Sequence, residues 1–313
     1  MEIVELTKTE FNSIFKKTGY VFSKSDFNEL NRYKVDDLVY LGFKEKKYRL
    51  GICFGKEAGK LLAPFSAPYA MFVKTKDKVD VQYIYQAIEK LDEYCIEENI
   101  QYIKFVMPPV AFEERDVSVF INAFGIHGYQ VEQRDLNFHL DLQKLYSDNY
   151  SLFLPHNGRK NLKIALQSGL ELMICTNVEE KREAYNIIKV NRENKSRPLR
   201  MEFQQILDTV QIVKADIFQV KNGEEGIAAA FVFWINKKIV RVIYWGDIPG
   251  YSEKKPINFL AYQLIQYYGK LGVEMIDIGI STENSIPNIG LCDFKESIGC
   301  DVSLAYTISK KYN

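Results

Sequence analysis

Residues 226–279 read GIAAAFVFWINKKIVRVIYWGDIPGYSEKKPINFLAYQLIQYYGKLGVEMIDIG. Two apolar runs flank Asn236-Lys237-Lys238, which predicts an antiparallel hairpin. The loop IPGYSEKKP follows. Then Ile257, Leu260, Ala261, Leu264, Ile265 and Tyr268 recur at helical spacing. Gly269 and Gly272 stop that helix, and VEMIDIG is a short apolar strand. Hairpin, crossover helix and strand together predict a mixed α/β sheet. Beyond it, SIPNIGLCDFKESIGC (285–300) leaves room for a short helix over 290–297, and CDVSLAYTIS is a final strand.

Working outward, the first half repeats the order. DDLVYLGF, YRLGICFG and KLLAPFSAP are successive strands, and Val81, Ile84, Ile88, Leu91 and Cys95 mark a helix. QYIKFVMP is a strand, VSVFINAFGIHGY a short helix and QVEQRDLNFHLDL a strand. A similar pattern in both halves predicts two α/β units, at 1–150 and 151–313. Between them, SLFLPHNGRKNLKIALQSG is a connection with a helical middle. VEEKREAYNIIKVNRENK and MEFQQILDTVQIV are amphipathic helices, and ADIFQVKNG is a strand.

A length of 313 residues fits about two cores. Equal numbers of basic and acidic residues, 41 of each, argue against a strongly basic nucleic-acid-binding domain. Residues 156–200 nevertheless carry a local excess of Lys and Arg, which suits either a phosphate-bearing ligand or a solvated helix face. Five cysteines without a CxxC pair and three histidines give no metal-ligand spacing, so no metal site and reduced thiols are expected. The opening MEIVELTKTEF lacks the pattern of a signal peptide, and the longest apolar run is too short for a membrane span. A cytoplasmic chain is the expectation, with its oligomeric state open. There is no nucleophile elbow, P-loop or dinucleotide fingerprint.

The stretches NGRKNLKIALQSGLEL, YNIIKVNRENK, YWGDIPGYSEKKPINFLAYQLIQYYGKLGVEMIDIG and IGLCDFKESIG resemble the C-terminal half of FemAB-like proteins, and APFSAPYAMF resembles the first half more weakly. These are tandem-GNAT chains that include the peptidoglycan aminoacyltransferases. The resemblance implies two tandem GNAT-like acyltransferase domains in an α/β fold with a mixed sheet. It also implies transfer of an acyl or aminoacyl group to an amine of a cell-wall precursor or amino sugar. The donor would be acyl-CoA or aminoacyl-tRNA, with no tightly bound cofactor and tRNA as a further partner. The family's helical-hairpin insertion for tRNA is absent, which puts aminoacyl-tRNA in doubt.

In the family, the lysine of the Phe-Lys pair lies near the transferred group; Lys295 matches it, beside Phe294. A fixed cation there would stabilise the oxyanion of acyl transfer. Asp247, at the end of the second hairpin strand, would orient or deprotonate the amine, although a turn role for Asp fits as well. Tyr244 and Trp245 alternate on that strand, so one faces the core and the other the cleft. Tyr251, Arg192, Asn288, Phe294 and Tyr69 complete the expected substrate contacts. Lys254, Lys255 and Asn258 would meet the donor's phosphates at a helix start, although the usual pair of closely spaced glycines is missing. The rival expectation is a non-catalytic double-GNAT module that binds a nucleotide-sugar or peptide.

Overall fold

The computed structural model describes residues 1–16, 19–76, 78–147 and 149–312. Two compact units emerge. The first comprises Met1–Leu136, Thr282–Ile286 and Ser303–Asn313, and the second Asn137–Ser281 and Pro287–Val302.

The first unit runs β1 (Glu2–Leu6), α1 (Lys8–Ile14), α2 (Ser25–Leu30), β2 (Asp37–Lys44), β3 (Tyr48–Glu57), β4 (Lys60–Ala63), β5 (Val73–Lys74), α3 (Val81–Glu97), β6 (Tyr102–Val106), α4 (Glu114–Ile126) and the start of β7 (Gln130–Asp141). Strands β1 to β4 pair as antiparallel neighbours, and β4 pairs with β6 in parallel across α3. The strand expected over 60–68 stops at Ala63. Pro64 has no N–H for a ladder bond, and the chain bends instead.

The rest of the chain supplies α5 (Leu142–Leu145), α6 (His156–Gln167), β8 (Leu170–Ile174), α7 (Val178–Asn194), α8 (Phe203–Ile212), β9 (Ala215–Asn222), β10 (Glu225–Trp234), β11 (Ile239–Asp247), α9 (Pro256–Lys270), β12 (Met275–Ile280), the short pair β13 (Thr282–Glu283) and β14 (Ile286–Pro287), α10 (Ile289–Ser297) and β15 (Asp301–Lys311). In the second unit β8, β9, β10 and β11 are antiparallel neighbours, and β11 pairs with β12 in parallel across α9.

Strand β10 shows why the apolar run is continuous. Ala228, Ala230 and Val232 enter one core cluster, with Leu260 and Leu264 of α9. Ala229 and Phe231 enter another, with Ala184 and Ile188 of α7 and Ile206 of α8. Both faces of the strand are buried, so polar alternation disappears. Helix α7 opens on a capping box between Asn177 and Glu180. Helix α9 opens with Pro256 in its first turn, where no N–H is needed.

The last strand of each sequence repeat completes the other unit. Thr307–Lys311 of β15 pair with β6 in the first unit. Asn137–Asp141 of β7 pair with β12 in the second.

Candidate active site

The second unit's cleft begins where two parallel strands part. Strands β11 and β12 pair only from Ile239–Arg241 to Met275–Asp277. Beyond that, β12 stays with β7. Two irregularities mark the divergence, one between Phe231 and Val232 in the β10–β11 ladder and one between Asp277 and Gly279 in the β12–β7 ladder. Past this fork lies a cavity of about 620 Å³, lined by the end of β11, the first turn of α9, the start of α10 and the segment after α7.

Asp247 is the carboxylate in this cavity. The side chain of Asn191 on α7 holds it, donating through Nδ2 to the Asp247 carbonyl at 2.7 Å and to Oδ1 at 3.1 Å. Gly246 permits this approach, because a Cβ there would stand 2.6–2.7 Å from Asn191 side-chain atoms. Burial raises the Asp247 carboxyl above its ordinary value, and the nearby charge of Lys195 partly opposes that.

Cations supply the opposite character. Lys195, Arg197 and Lys255 line the cavity. Lys255 occupies the N-cap of α9 in the left-handed region, and no side chain caps the helix. The first-turn N–H groups of Ile257 and Asn258 have no intrahelical acceptor at such a start. Together with the helix dipole they suit an anion. Trp245 and Phe294 form an edge-to-face aromatic wall with centroids 6.1 Å apart.

Six expected site residues therefore come together around one cavity: Trp245, Asp247, Lys255, Asn258, Asn288 and Phe294. Sequence reasoning missed Ser252, Ile257 and Leu291 among its lining, and it took Lys195 and Arg197 as neighbours of Arg192 in a basic excess that suits a phosphate-bearing ligand. Their place after α7 depends on how that helix packs, which periodicity alone does not fix.

The other expected residues lie elsewhere. Tyr244 turns the other way from Trp245, into the α7–α8 cluster. The Arg192 guanidinium lies over its ring at 5.6 Å. The Tyr251 hydroxyl donates to Glu225, and Lys254 Nζ donates to Asn222 at 2.6 Å. Tyr69 is 2% exposed in the first unit, edge-on to Phe22 and Phe112. Beside it, Ala70 N–H donates to Val106 O at 2.9 Å. The segment after β4 thus meets the end of β6 in the first unit. Lys295 is 2% exposed and does not line the cavity; its Nζ donates to Gly279 O at 2.8 Å and Ile280 O at 3.1 Å.

Among the described residues no group of three or more His, Cys, Asp or Glu is placed to hold a metal, and no helix is long and apolar enough to cross a membrane.

Neither a protein-family model nor a curated protein matches the chain. Solved structures do match in fold. FemX superposes with a TM-score of 0.71 at 12% identity, over 100% of this chain and 98% of that one. L-PGS from Bacillus licheniformis gives 0.62 at 13%, over 99% and 93%. A tandem GNAT protein from the clavulanic acid biosynthesis pathway gives 0.53 at 8%, over 99% and 98%. The chain thus shares its fold with FemX and with a tandem GNAT protein, a mixed α/β fold with two such units in one chain.

Proposed function

We propose that the chain is an acyltransferase that moves an acyl group from a thioester donor to an amine of a cell-wall precursor or amino sugar. The observation that carries this reading is the forked-strand cavity, which gathers one half-buried carboxylate, three cations and an uncapped helix start. The fold shared with FemX and a tandem GNAT protein supports it.

In this reading the donor's phosphates lie against the N–H groups of α9, with Lys255, Lys195 and Arg197 around them. The amine attacks the thioester carbonyl directly in a ternary complex. A C–N bond forms, the C–S bond breaks, and the sulfur leaves as a thiolate with the electron pair of that bond, to be protonated by the proton that Asp247 takes from the amine. Asp247 accepts the proton that the amine loses. Trp245 and Phe294 cover the acyl group, and Asn288 and Asn258 orient it. The donor is acyl-CoA because the anion-binding features gather at one helix start, within reach of a diphosphate, and do not spread along a surface as a tRNA backbone would need.

Thermal-shift titration tests this. A ligand at about 100 times its dissociation constant stabilises by roughly 2.7 kcal/mol. Acetyl-CoA is expected to raise the melting temperature. A rise with charged tRNA and not with acetyl-CoA would transfer the chain to aminoacyl donors. No rise with either would leave a binding module for a nucleotide-sugar or peptide.

A further inference from the structure

We propose that Lys295 is a positioning residue, which pins α10, and with it the Asn288–Leu291–Phe294 wall of the cavity, to the bulge of β12. The proposal rests on the acyltransferase reading for what that wall does, and on the geometry of the second unit for the pinning itself.

The bulge is built from a buried polar chain. Asp277 is 0% exposed. Its Oδ1 accepts from Asn137 Nδ2 at 2.8 Å and from Gly279 N–H at 3.0 Å, and its Oδ2 accepts from Arg241. Arg241 and Asp277 are the last residues that pair β11 with β12, so this ion pair sits at the root of the fork. Gly279 takes φ +81°, a backbone form that glycine adopts without cost. Past this bend the Gly279 and Ile280 carbonyls accept from Lys295 Nζ.

Two more bonds run between the same elements. Asn288 N–H donates to Ser281 O at 2.9 Å, and Cys292 Sγ lies 3.9 Å from the same carbonyl. Lys295 thus ties the C-terminal half of α10 where Asn288 ties its start. Asn288, Leu291 and Phe294, on the cavity side, are held between those ties.

The ammonium is turned to the backbone carbonyls after the bulge, and Lys295 does not line the cavity. Besides the two carbonyls it lies over the Phe138 ring at 5.3 Å. Burial lowers its pKa to about 8, against the opposing pull of Cys300, Asp277 and Cys292, while Arg241 adds to the lowering. A neutral amine still has two N–H donors, enough for both carbonyls. An anchor therefore survives deprotonation, whereas an oxyanion-stabilising cation does not.

Hydrogen exchange on the full chain tests the inference. We compare peptides covering 288–298 in the wild type at pH 7 and pH 9.5, after correction for intrinsic rates, with Lys295→Met and Lys295→Arg at pH 7. Lys295→Met is expected to raise exchange across α10 by about tenfold or more, as loss of two buried hydrogen bonds implies. Lys295→Arg is expected to restore most of the protection. The wild type is expected to protect α10 equally at both pH values. Unchanged exchange in Lys295→Met, or loss of α10 protection in the wild type at pH 9.5, overturns the anchor. Should Lys295→Met fail to fold, the wild-type pH comparison decides alone.

Titration with acetyl-CoA adds a readout that a general loss of stability would not move. Lys295→Met should weaken binding by about fivefold or more, with Lys295→Arg within about twofold of wild type. Equal affinity in all three overturns the positioning role. If the wild type does not bind acetyl-CoA, the donor reading fails, and the exchange comparison still decides the anchor.

Discussion

Asp247 is withdrawn from much of its water, which raises its carboxyl, and the nearby charge of Lys195 opposes that only in part. Asp247→Asn keeps an oxygen for Asn191 and removes the half-buried charge. Turnover should fall by about 10²-fold or more, while the melting temperature at pH 7 stays equal or rises, as steady-state assay and thermal melts would show. A melting temperature that falls with turnover would mean that the carboxylate supports the fold. Since the carboxyl is raised, wild-type activity should climb with pH through its titration, because only the carboxylate accepts a proton. Lys295 gives the opposite kind of window. Folded, it gives up its proton near 8; unfolded, at roughly 10.4. Between those values the folded chain binds fewer protons than the unfolded one, so stability rises with pH. In denaturant titrations the wild type should gain stability from pH 8 to 10 relative to Lys295→Met. No difference between the two pH trends would mean that Lys295 keeps its proton throughout.

At the scale of elements, the first turn of α9 combines strain with opportunity. Lys255 holds φ 54°, which costs a residue with a Cβ about 1 kcal/mol. Lys255→Gly should relieve that strain and raise stability by about 0.5 kcal/mol after glycine's own entropy is charged against it. The same change should weaken acetyl-CoA binding, since one cavity cation is lost. Higher stability with unchanged affinity, measured by melts and calorimetry, would take Lys255 out of the donor site. The elements themselves were legible in the sequence. Helical spacing found α3 and α9, and the tripeptide Asn236-Lys237-Lys238 found the β10–β11 hairpin. The fork was not legible. Arg241 and Asp277 look like ordinary polar interruptions of two strands, and only their pairing across the β11–β12 ladder shows that they mark where the strands part. Lys295 shows the same limit. Its type and spacing fit a solvated helix face, and its burial comes from the bent carbonyls of Gly279 and Ile280, which no local pattern announces. Tyr69 is the converse case, an aromatic expected to contact the substrate that instead fills the core of the first unit.

At the scale of the whole molecule, the repeat seen in the sequence is real as an order of elements, but its last strands are exchanged. Residues 307–311 are laid against β6 of the first unit, just over 200 positions away in sequence. Side chains secure them there. Lys310 Nζ donates to Asp92 of α3 at 2.8 Å and to His127 O at 2.8 Å, and Asp92 also accepts from Tyr129 at 3.0 Å. Ile308 and Ala305 are buried. Strand β15 lies between β6 and β7, so it is an interior strand of the first unit's sheet. Such non-local pairing is made late, because loop closure must come before the contacts that reward it. A chain ended after Val302 should therefore lose hydrogen-exchange protection in β4, β6 and 130–136, where two sheet edges are laid bare. The β9–β11 ladder of the second unit, whose own partners all lie within 137–302, should keep its protection. If acetyl-CoA still protects α9 in that shortened chain, the donor site belongs to the second unit alone. If protection collapses throughout, the two units fold as one cooperative body, and the exchanged strands are what couples them.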